Sequence, residues 1–420
     1  MTSKEILRQI VIQQKKDTLP SEGAIIREIL DDISVWFKDN RIIILTGLRR
    51  SGKSTLLRQI MANKKDFCYV NFEDERFLDF RAQDFEELNE VLIEIYGNPK
   101  IYFFDEIQNI ENFESFVRRL QDHGKKIVIT GSNASLLSKE FGTKLTGRYK
   151  SFEVYPFSFR EFLAFNKIEP EREWIYNPEK KVSLIKFFAE YLSTGGMPEY
   201  LKNRDKDYIK TLYENILYRD IIARYSIKRQ KLVKELVNIF STNISSKFTY
   251  NSLKKTLGLS NAITVKEYIS YMSNSYLFFE LQKFDFSVKR QLNSPKKIYI
   301  IDPAFNRISG FNFSENKGKI LENMVFIELK RRGMDVYYYS GENECDFLLK
   351  DGPKISGAIQ VCHILSKDNK EREIGGLIEV MEKFNLREGL ILTTDQEEEI
   401  NLKSGKIKVM PAWKWLIARK

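Results

Sequence analysis

Short apolar runs, each closed by a turn or a charged pair, mark the first third of the chain: "RIIILT" before Gly47, then "FCYVNFED", "KIYFFDEIQNI" and "KKIVIT". Four apolar residues in a row, Ile101 to Phe104, predict a strand buried on both faces, which is how strands of a parallel sheet covered by helices read. Between the first two runs "STLLRQIMA" has the pattern of a helix. From Pro156 to about Ile227 the period lengthens. "PFSFREFLAF", "KVSLIKFFAEYL" and "DYIKTLYENILYRDII" place apolar residues three and four apart, so helices are expected, with Phe157, Phe159, Phe162 and Phe165 in a core. "STGGMPEYL" interrupts them with a Gly pair and a proline. "YNSLKKTLGLS" and "NAITVKEYISYMSNSYLF" then predict a helix, a stop at Gly258 and a second helix burying Val265, Ile269, Met272 and Tyr276. Two β-rich runs follow, "FFELQKFDFSVKR" and "KKIYIID". The last stretch reads as a helix, "GKILENMVFIELKRRG", a strand and hairpin strand in "VYYYSGENECDFLLKDG", and a further strand, "AIQVCHI".

Composition narrows the class. The 420 residues exceed one ordinary core, so two to four domains are expected. With 42% hydrophobic and 30% charged residues the chain reads as folded and soluble. No apolar stretch approaches the ~18 residues of a membrane span, and "MTSKEILRQI" is no signal peptide, so a cytoplasmic protein without membrane contact is expected. Cys68, Cys345 and Cys362 have no paired spacing and read as reduced, buried thiols rather than a disulfide framework or a zinc site. His123 and His363 are the only histidines, which argues against His-based catalysis; His123, just before Gly124, reads as a helix cap. The net charge of +10 is concentrated. Residues 228–300 hold thirteen Lys and Arg against four acids, an excess of +9 that is expected to face an anionic partner.

The chemistry begins at "GLRRSGKST". Gly47, Gly52, Lys53 and Ser54 satisfy G-x-x-x-x-G-K-[ST], in which backbone N–H groups curl round phosphates at a helix N-terminus. Leu48, Arg49, Arg50, Ser51 and Thr55 complete the stretch expected to hold the nucleotide. Lys53 is expected to bridge the β- and γ-phosphates and the Ser54 hydroxyl to hold Mg²⁺. Asp105 and Glu106 follow a buried strand: Asp105 is assigned to the Mg²⁺ shell and Glu106 to an attacking water. An inserted strand and a Glu directly after the Asp place the chain with ATPases rather than GTPases. "NKKD" at 63–66 resembles the guanine-reading motif, yet it lies about 15 Å down the helix that follows the loop, so adenine is expected. "KKIVIT" ends in "GSNASLL", making Ser132 and Asn133 candidates to sense the γ-phosphate. Arg148, in "TGRY", is read either as an arginine reaching a phosphate, in its own chain or a neighbour's, or as a surface cation.

The phosphate loop, "FFDEIQNI", "ITGSNASLL", "LTGRY" and "YPFSFREF", in this order, resemble the AAA-type ATPases of archaea and bacteria that carry a C-terminal domain of unknown function. The resemblance implies an α/β fold: an ATP- and Mg²⁺-binding parallel-sheet core at 1–157, and a helical lid at 158–227. The basic segment, 228–300, reads as a winged helix-turn-helix. Residues 301–420 look like a PD-(D/E)XK nuclease fold, with Glu322 and Asp346 as acids and Glu344 beside them. There the expected acid-x-lysine reads Gln360-Val361-Cys362, so a nuclease fold without nuclease chemistry is expected, with Glu322, Glu344 and Asp346 left to gather at most a weak ion. The function expected is ATP binding and hydrolysis that switches a grip on DNA, without sequence readout, or on a protein partner, in a chain that can assemble with copies of itself. An ATP-dependent protein scaffold and an ATP-regulated nuclease stand as the alternatives.

Overall fold

The computed structural model describes residues 3–16, 23–134, 147–169, 177–306, 317–403 and 405–418. It divides into two compact units, 1–155 and 156–420. Of "GSNASLL", the residues after Ala134 lie outside the described ones, as do Leu145 and Thr146 of "LTGRY".

The first unit is built on five parallel strands: β1 (Ile42–Thr46), β2 (Phe67–Asn71), β3 (Ile101–Asp105), β4 (Lys126–Gly131) and β5 (Tyr149–Glu153), ordered β2-β3-β4-β1-β5. Neighbouring residues of a strand face opposite sides, and the sequence fills both sides with apolar groups. Ile42 and Ile44 join Tyr102 and Phe104 in one core, while Ile43 and Leu45 join Phe103 in the other. The first core is closed by helices α1 (Lys4–Lys16), α4 (Phe85–Tyr96) and α5 (Phe113–Asp122), the second by α2 (Ile29–Trp36) and α3 (Lys53–Met61). His123 caps α5, its N–H donating to Arg119 O at 3.1 Å. Burial on both faces is the reason these strands read as unbroken apolar runs.

The second unit starts with helices α6 (Phe159–Phe165), α7 (Pro178–Thr194), α8 (Pro198–Asn203) and α9 (Lys206–Asn215), the last running into a π-helical stretch, Ile216–Ala223. Phe157, Phe159 and Phe162 are buried and Phe165 half-buried, as their spacing requires. Then come α10 (Gln230–Thr242), β6 (Lys247–Phe248), α11 (Tyr250–Thr256), α12 (Ala262–Asn274), β7 (Phe278–Gln282), α13 (Val288–Asn293) and β8 (Lys296–Ile300), with an antiparallel sheet ordered β6-β8-β7. Val265, Ile269, Met272 and Tyr276 are buried, Tyr276 lying just past the helix end. The run "FFELQKFDFSVKR" is strand only in its first part. Ser287 accepts the N–H of Arg290 and starts a short helix in what reads as strand.

After α14 (Pro303–Asn306) and α15 (Lys317–Arg331), strands β9 (Asp335–Ser340), β10 (Glu344–Asp351) and β11 (Lys354–Val361) form an antiparallel meander. Helix α16 (Lys370–Phe384) leads to β12 (Glu388–Thr393), parallel to β11, and β13 (Glu398–Leu402), β14 (Gly405–Pro411) and α17 (Ala412–Ile417) complete a six-stranded sheet, β13-β14-β12-β11-β10-β9. The three cysteines are free and buried. Phe284 N donates to Tyr338 O at 2.8 Å, and the Phe284 ring packs on Tyr337 and Phe384, so the segment after β7 is fastened to β9.

The Gly pair of "STGGMPEYL" has a packing cause. Gly195, at φ +71°, ends α7, and a Cβ there would lie 1.8 Å from Asp302 Oδ1. Gly196 N donates to Asp302 Oδ2 at 2.7 Å and Ala304 N to Oδ1 at 2.9 Å. Burial raises the Asp302 pKa to about 7, which these two donors and Arg331 only partly oppose. Its folded pKa thus exceeds the unfolded 3.8, so its contribution to stability is present below about pH 4 and lost as pH rises through 7. Glu322, also pushed up to about 7, first by burial, acts in the same direction. The urea midpoint of the chain, followed by tryptophan fluorescence, is expected to fall from pH 5 to pH 8. Asp302→Asn should reduce that slope without abolishing it; an unchanged slope would remove Asp302 as a cause.

Candidate nucleotide site

The carboxyl ends of β1, β3 and β4 meet at the loop between β1 and α3. Gly47 sits at φ +153°, and a Cβ on it would fall 2.2 Å from Val154 O, so only glycine lets the loop pass this close to the end of β5. Val154 N in turn donates to Thr46 O at 2.6 Å. Arg49 pairs with Glu73 at 3.0 Å, and Arg50 is exposed at φ +63°. Ser51 is fully buried with its hydroxyl oxygen unpartnered. Gly52, at φ +99°, precedes α3, whose N-terminus has no capping side chain and no acid in its first turn. Leu48 is buried in the loop, and Thr55 lies in the first turn of α3. Free N–H groups of a helix start, an orphan hydroxyl and a lysine make a cradle for an anion.

Lys53 is 4% exposed and folds back onto the loop, donating to Gly47 O at 3.2 Å and Leu48 O at 3.1 Å and lying 3.5 Å from Glu106 Oε1. Asp105 is buried. Its carboxylate accepts from Thr130 Oγ1 and, at 3.3 Å, from the Tyr69 hydroxyl. Burial raises its pKa, the charge of Glu106 adds to this, and hydrogen bonds from Thr130 and Ser54 work against it. Ser54 and Asp105 are thereby brought together, a hydroxyl and a carboxylate suited to share Mg²⁺ with phosphate oxygens. Among the described residues no group of three or more His, Cys, Asp and Glu could hold a metal ion unaided.

Glu106 stands at φ +51°, an uncommon conformation for a residue with a side chain. Its N–H donates to Thr130 Oγ1 at 2.9 Å, and its carboxylate accepts from Gln108 Nε2 at 2.5 Å. Burial would raise its pKa, but Lys53 and the Gln108 amide outweigh that and hold it below the ordinary value. It is therefore an ionised acceptor near neutral pH. Ser132 and Asn133 are buried directly after β4, with Ser132 Oγ 3.4 Å from Gln108 Nε2. Thus Lys53, Ser54, Asp105, Glu106 and Ser132 converge, and Asn133 sits at the same sheet edge.

Arg148 does not join them. It immediately precedes β5, whose Tyr149 is in register with Ile42 at the start of β1, and its carbonyl accepts from Ile42 N at 2.9 Å. A strand of this length puts it roughly 16 Å from its own phosphate loop, at the opposite edge of the sheet. Its guanidinium pairs with Asp122. Contact with its own chain's phosphate is excluded by that placement.

Several residues at the site carry no signal in the sequence. Arg27, 5% exposed, donates to Ser51 O at 2.9 Å and Tyr155 O at 2.6 Å, bracing the loop from a segment without any motif. Thr130, Tyr69 and Glu73 act only because strand pairing brings them close. Gln108 lies inside "DEIQNI", and a polar residue two positions past the acid pair was its one visible sign.

Residues 39–163 match the family model described as "AAA domain", and 185–312 match a domain of unknown function, DUF8612. Over 99% of its length the chain is 37% identical to "Uncharacterized protein MJ1544" of Methanocaldococcus jannaschii, covering 96% of that protein. It is 30% identical to an uncharacterized protein of Haemophilus influenzae, over 80% of this chain and 86% of that one. Among solved structures it aligns with the Walker-type ATPase PABY2304 of Pyrococcus abyssi (17% identity, TM-score 0.40, 69% of this chain and 97% of that one). It also aligns with the Aeropyrum pernix ORC1 protein in complex with DNA (12%, TM-score 0.29, 70% and 95%). The chain belongs to the same family as the Methanocaldococcus jannaschii protein MJ1544, and its first unit carries that family's P-loop, AAA-type ATPase domain.

Proposed function

We propose that this protein binds and hydrolyses ATP and uses the cycle to change its hold on DNA. The convergence of an ionised Glu106 with Lys53 at the phosphate loop carries this reading. Lys53 moves from its own loop carbonyls to the β- and γ-phosphates, exchanging neutral acceptors for charged ones, and the Ser51 hydroxyl and α3 N–H groups gain acceptors. Mg²⁺, held by Ser54 and Asp105 with the phosphates, supplies positive charge there when bound. Glu106 orients a water and takes its proton; Ser132 and Asn133 sense the γ-phosphate from the tip of β4. Arg148, remote from its own loop, is assigned to the nucleotide of a neighbouring copy.

For the partner, support comes from the order helix, strand, helix, helix, strand, short helix, strand in 228–300, which resembles a winged helix with α13 set between the two strands of its wing. An open cleft of about 650 Å³ lined by Lys228, Arg229, Lys231, Glu235 and Leu257 adds a surface with three cations against one acid, Lys231 lying 3.8 Å from Glu235. The +9 excess overstates that surface. Lys296 and Lys297 are buried, and Lys247 pairs with Glu344. Lys255 is exposed and Lys254 half-buried. The exposed Phe286, Val288 and Leu292 favour a second reading, a protein partner, over a purely electrostatic grip.

Three outcomes are expected. Lys53→Ala abolishes ATP binding measured by calorimetry, whereas Glu106→Gln keeps binding and loses turnover; parental turnover in Glu106→Gln would unseat it as the base. ATPase activity per chain rises with protein concentration, and Arg148→Ala loses that rise while still binding ATP. Activity independent of concentration and of Arg148 would leave it a surface cation. DNA affinity falls with salt at a log–log slope of about −0.9 per phosphate contact, so four contacts cost more than ~10³-fold over a tenfold change. Lys254→Glu with Lys255→Glu weakens all sequences alike. A flat salt response would transfer the reading to the protein partner.

A further inference from the structure

One of the most deeply buried cations among the described residues of the second unit lies within the segment that carries the positive excess. Lys297, on the middle strand β8, is 3% exposed. Its ammonium lies 2.9 Å from Glu322 Oε1 on α15, 2.8 Å from Glu344 Oε1 and 2.8 Å from Asp346 Oδ1 on β10. An ammonium has three N–H donors, and here three carboxylates receive them. Each carboxylate has a further partner. Tyr299 OH donates to the same Glu322 Oε1 at 2.7 Å, Lys247 pairs with the second oxygen of Glu344, and Val361 N donates to Asp346 Oδ2 at 3.0 Å.

These are the acids that the sequence offers to a divalent ion, and the arrangement does not fit one. Oxygens standing 2.8–2.9 Å from the central atom are spaced for an ammonium; Mg²⁺ needs about 2.0–2.1 Å. Gln360 is spent elsewhere: its amide donates to Glu373 Oε2 at 2.6 Å and its oxygen accepts from Asp346 N at 3.1 Å. Nor can the strand that carries the lysine shift freely. Phe278–Gln282 pair along the whole of β8 on one side, and Lys247 and Phe248 pair on the other. Burial alone favours a neutral amine, but Asp346 and Glu322 outweigh it and keep Lys297 charged.

We propose that Lys297 is the built-in cation of this carboxylate cluster, occupying the place a divalent metal would take and closing the C-terminal sheet to metal-dependent phosphodiester cleavage. The cluster is a metal centre's acid set converted into an ion-pair joint between β8 and the α15–β10 pair. Loss of the lysine leaves uncompensated buried carboxylates, which seek another cation.

The test uses the full chain without nucleotide and reads Mn²⁺ binding by electron paramagnetic resonance, with thermal midpoint as a second readout. The parent is expected to bind no Mn²⁺ that depends on Asp346. Lys297→Ala is expected to melt lower, to bind one Mn²⁺ per chain and to regain part of its midpoint with Mn²⁺; adding Asp346→Asn should remove both effects. If Lys297→Ala does not fold, the triple variant Glu322→Gln, Lys297→Met, Asp346→Asn should fold, because Lys247 then balances Glu344, the one carboxylate left. Asp346-dependent Mn²⁺ binding, or Mn²⁺-dependent DNA nicking, by the parent overturns the proposal. So does a folded Lys297→Ala that ignores Mn²⁺, or a triple variant that fails to fold alongside the single one.

Discussion

Backbone contact between Gly47 and the end of β5 sets the geometry of the first unit's edge. Thr46 O receives Val154 N, and the next residue passes so close to Val154 O that any side chain is excluded. That approach fixes where the loop leaves β1, hence where α3 starts and where Lys53 can reach. β1 lies between β4 and β5, so the same strand carries the loop beside Ser132 and Asn133. The Asp105–Thr130–Glu106 bonds then lock β3 to β4 at the same height. One row of parallel strands ending together puts a lysine, two carboxylates and a hydroxyl within a few ångströms, and Arg27 braces the arrangement from below through two carbonyls.

Two buried ionic sites illustrate opposite uses of the same physics. At the loop, Lys53 rests on neutral carbonyls and one carboxylate, an arrangement open to a stronger anionic ligand. In the second unit, Lys297 rests on three carboxylates and is saturated. An ammonium whose donors rest mostly on neutral carbonyls is a receptor; one whose three donors all meet carboxylates is part of the structure. Desolvation makes both arrangements costly to break, and only the balance of partners separates the two roles.

The sequence carried the first unit in detail because its signals are local. A loop, the strand before it and the helix after it occupy one short segment, and doubly buried strands announce themselves as apolar runs. Longer-range facts were invisible. Lys296 and Lys297 count as surface charge in any composition, yet alternation in β8 and its central place in the sheet bury both. Arg148 follows a glycine in a loop-like stretch, and only the parallel register of β5 with β1 shows that it stands at the far edge. The acids Glu322 and Asp346 were recognised as a pair, but their partner lies on another sheet, too far along the chain for any spacing rule. Arg27 shows the same limit: a brace made of backbone carbonyls leaves no residue type to search for.

The joints of the second unit also limit which parts of it could be exchanged. Asp302 seats against Gly195 and Gly196, Lys297 joins residues on either side of position 301, and Phe284 is fastened to Tyr338. Each joint crosses a border at which a reader of the sequence would cut the chain into modules. A gene rearrangement that exchanged the C-terminal stretch alone would deliver buried acids without their lysine and a glycine pair without its carboxylate. Each joint needs both of its partners, so a change at one side leaves a buried charge or a filled space that only a matching change at the other side can relieve.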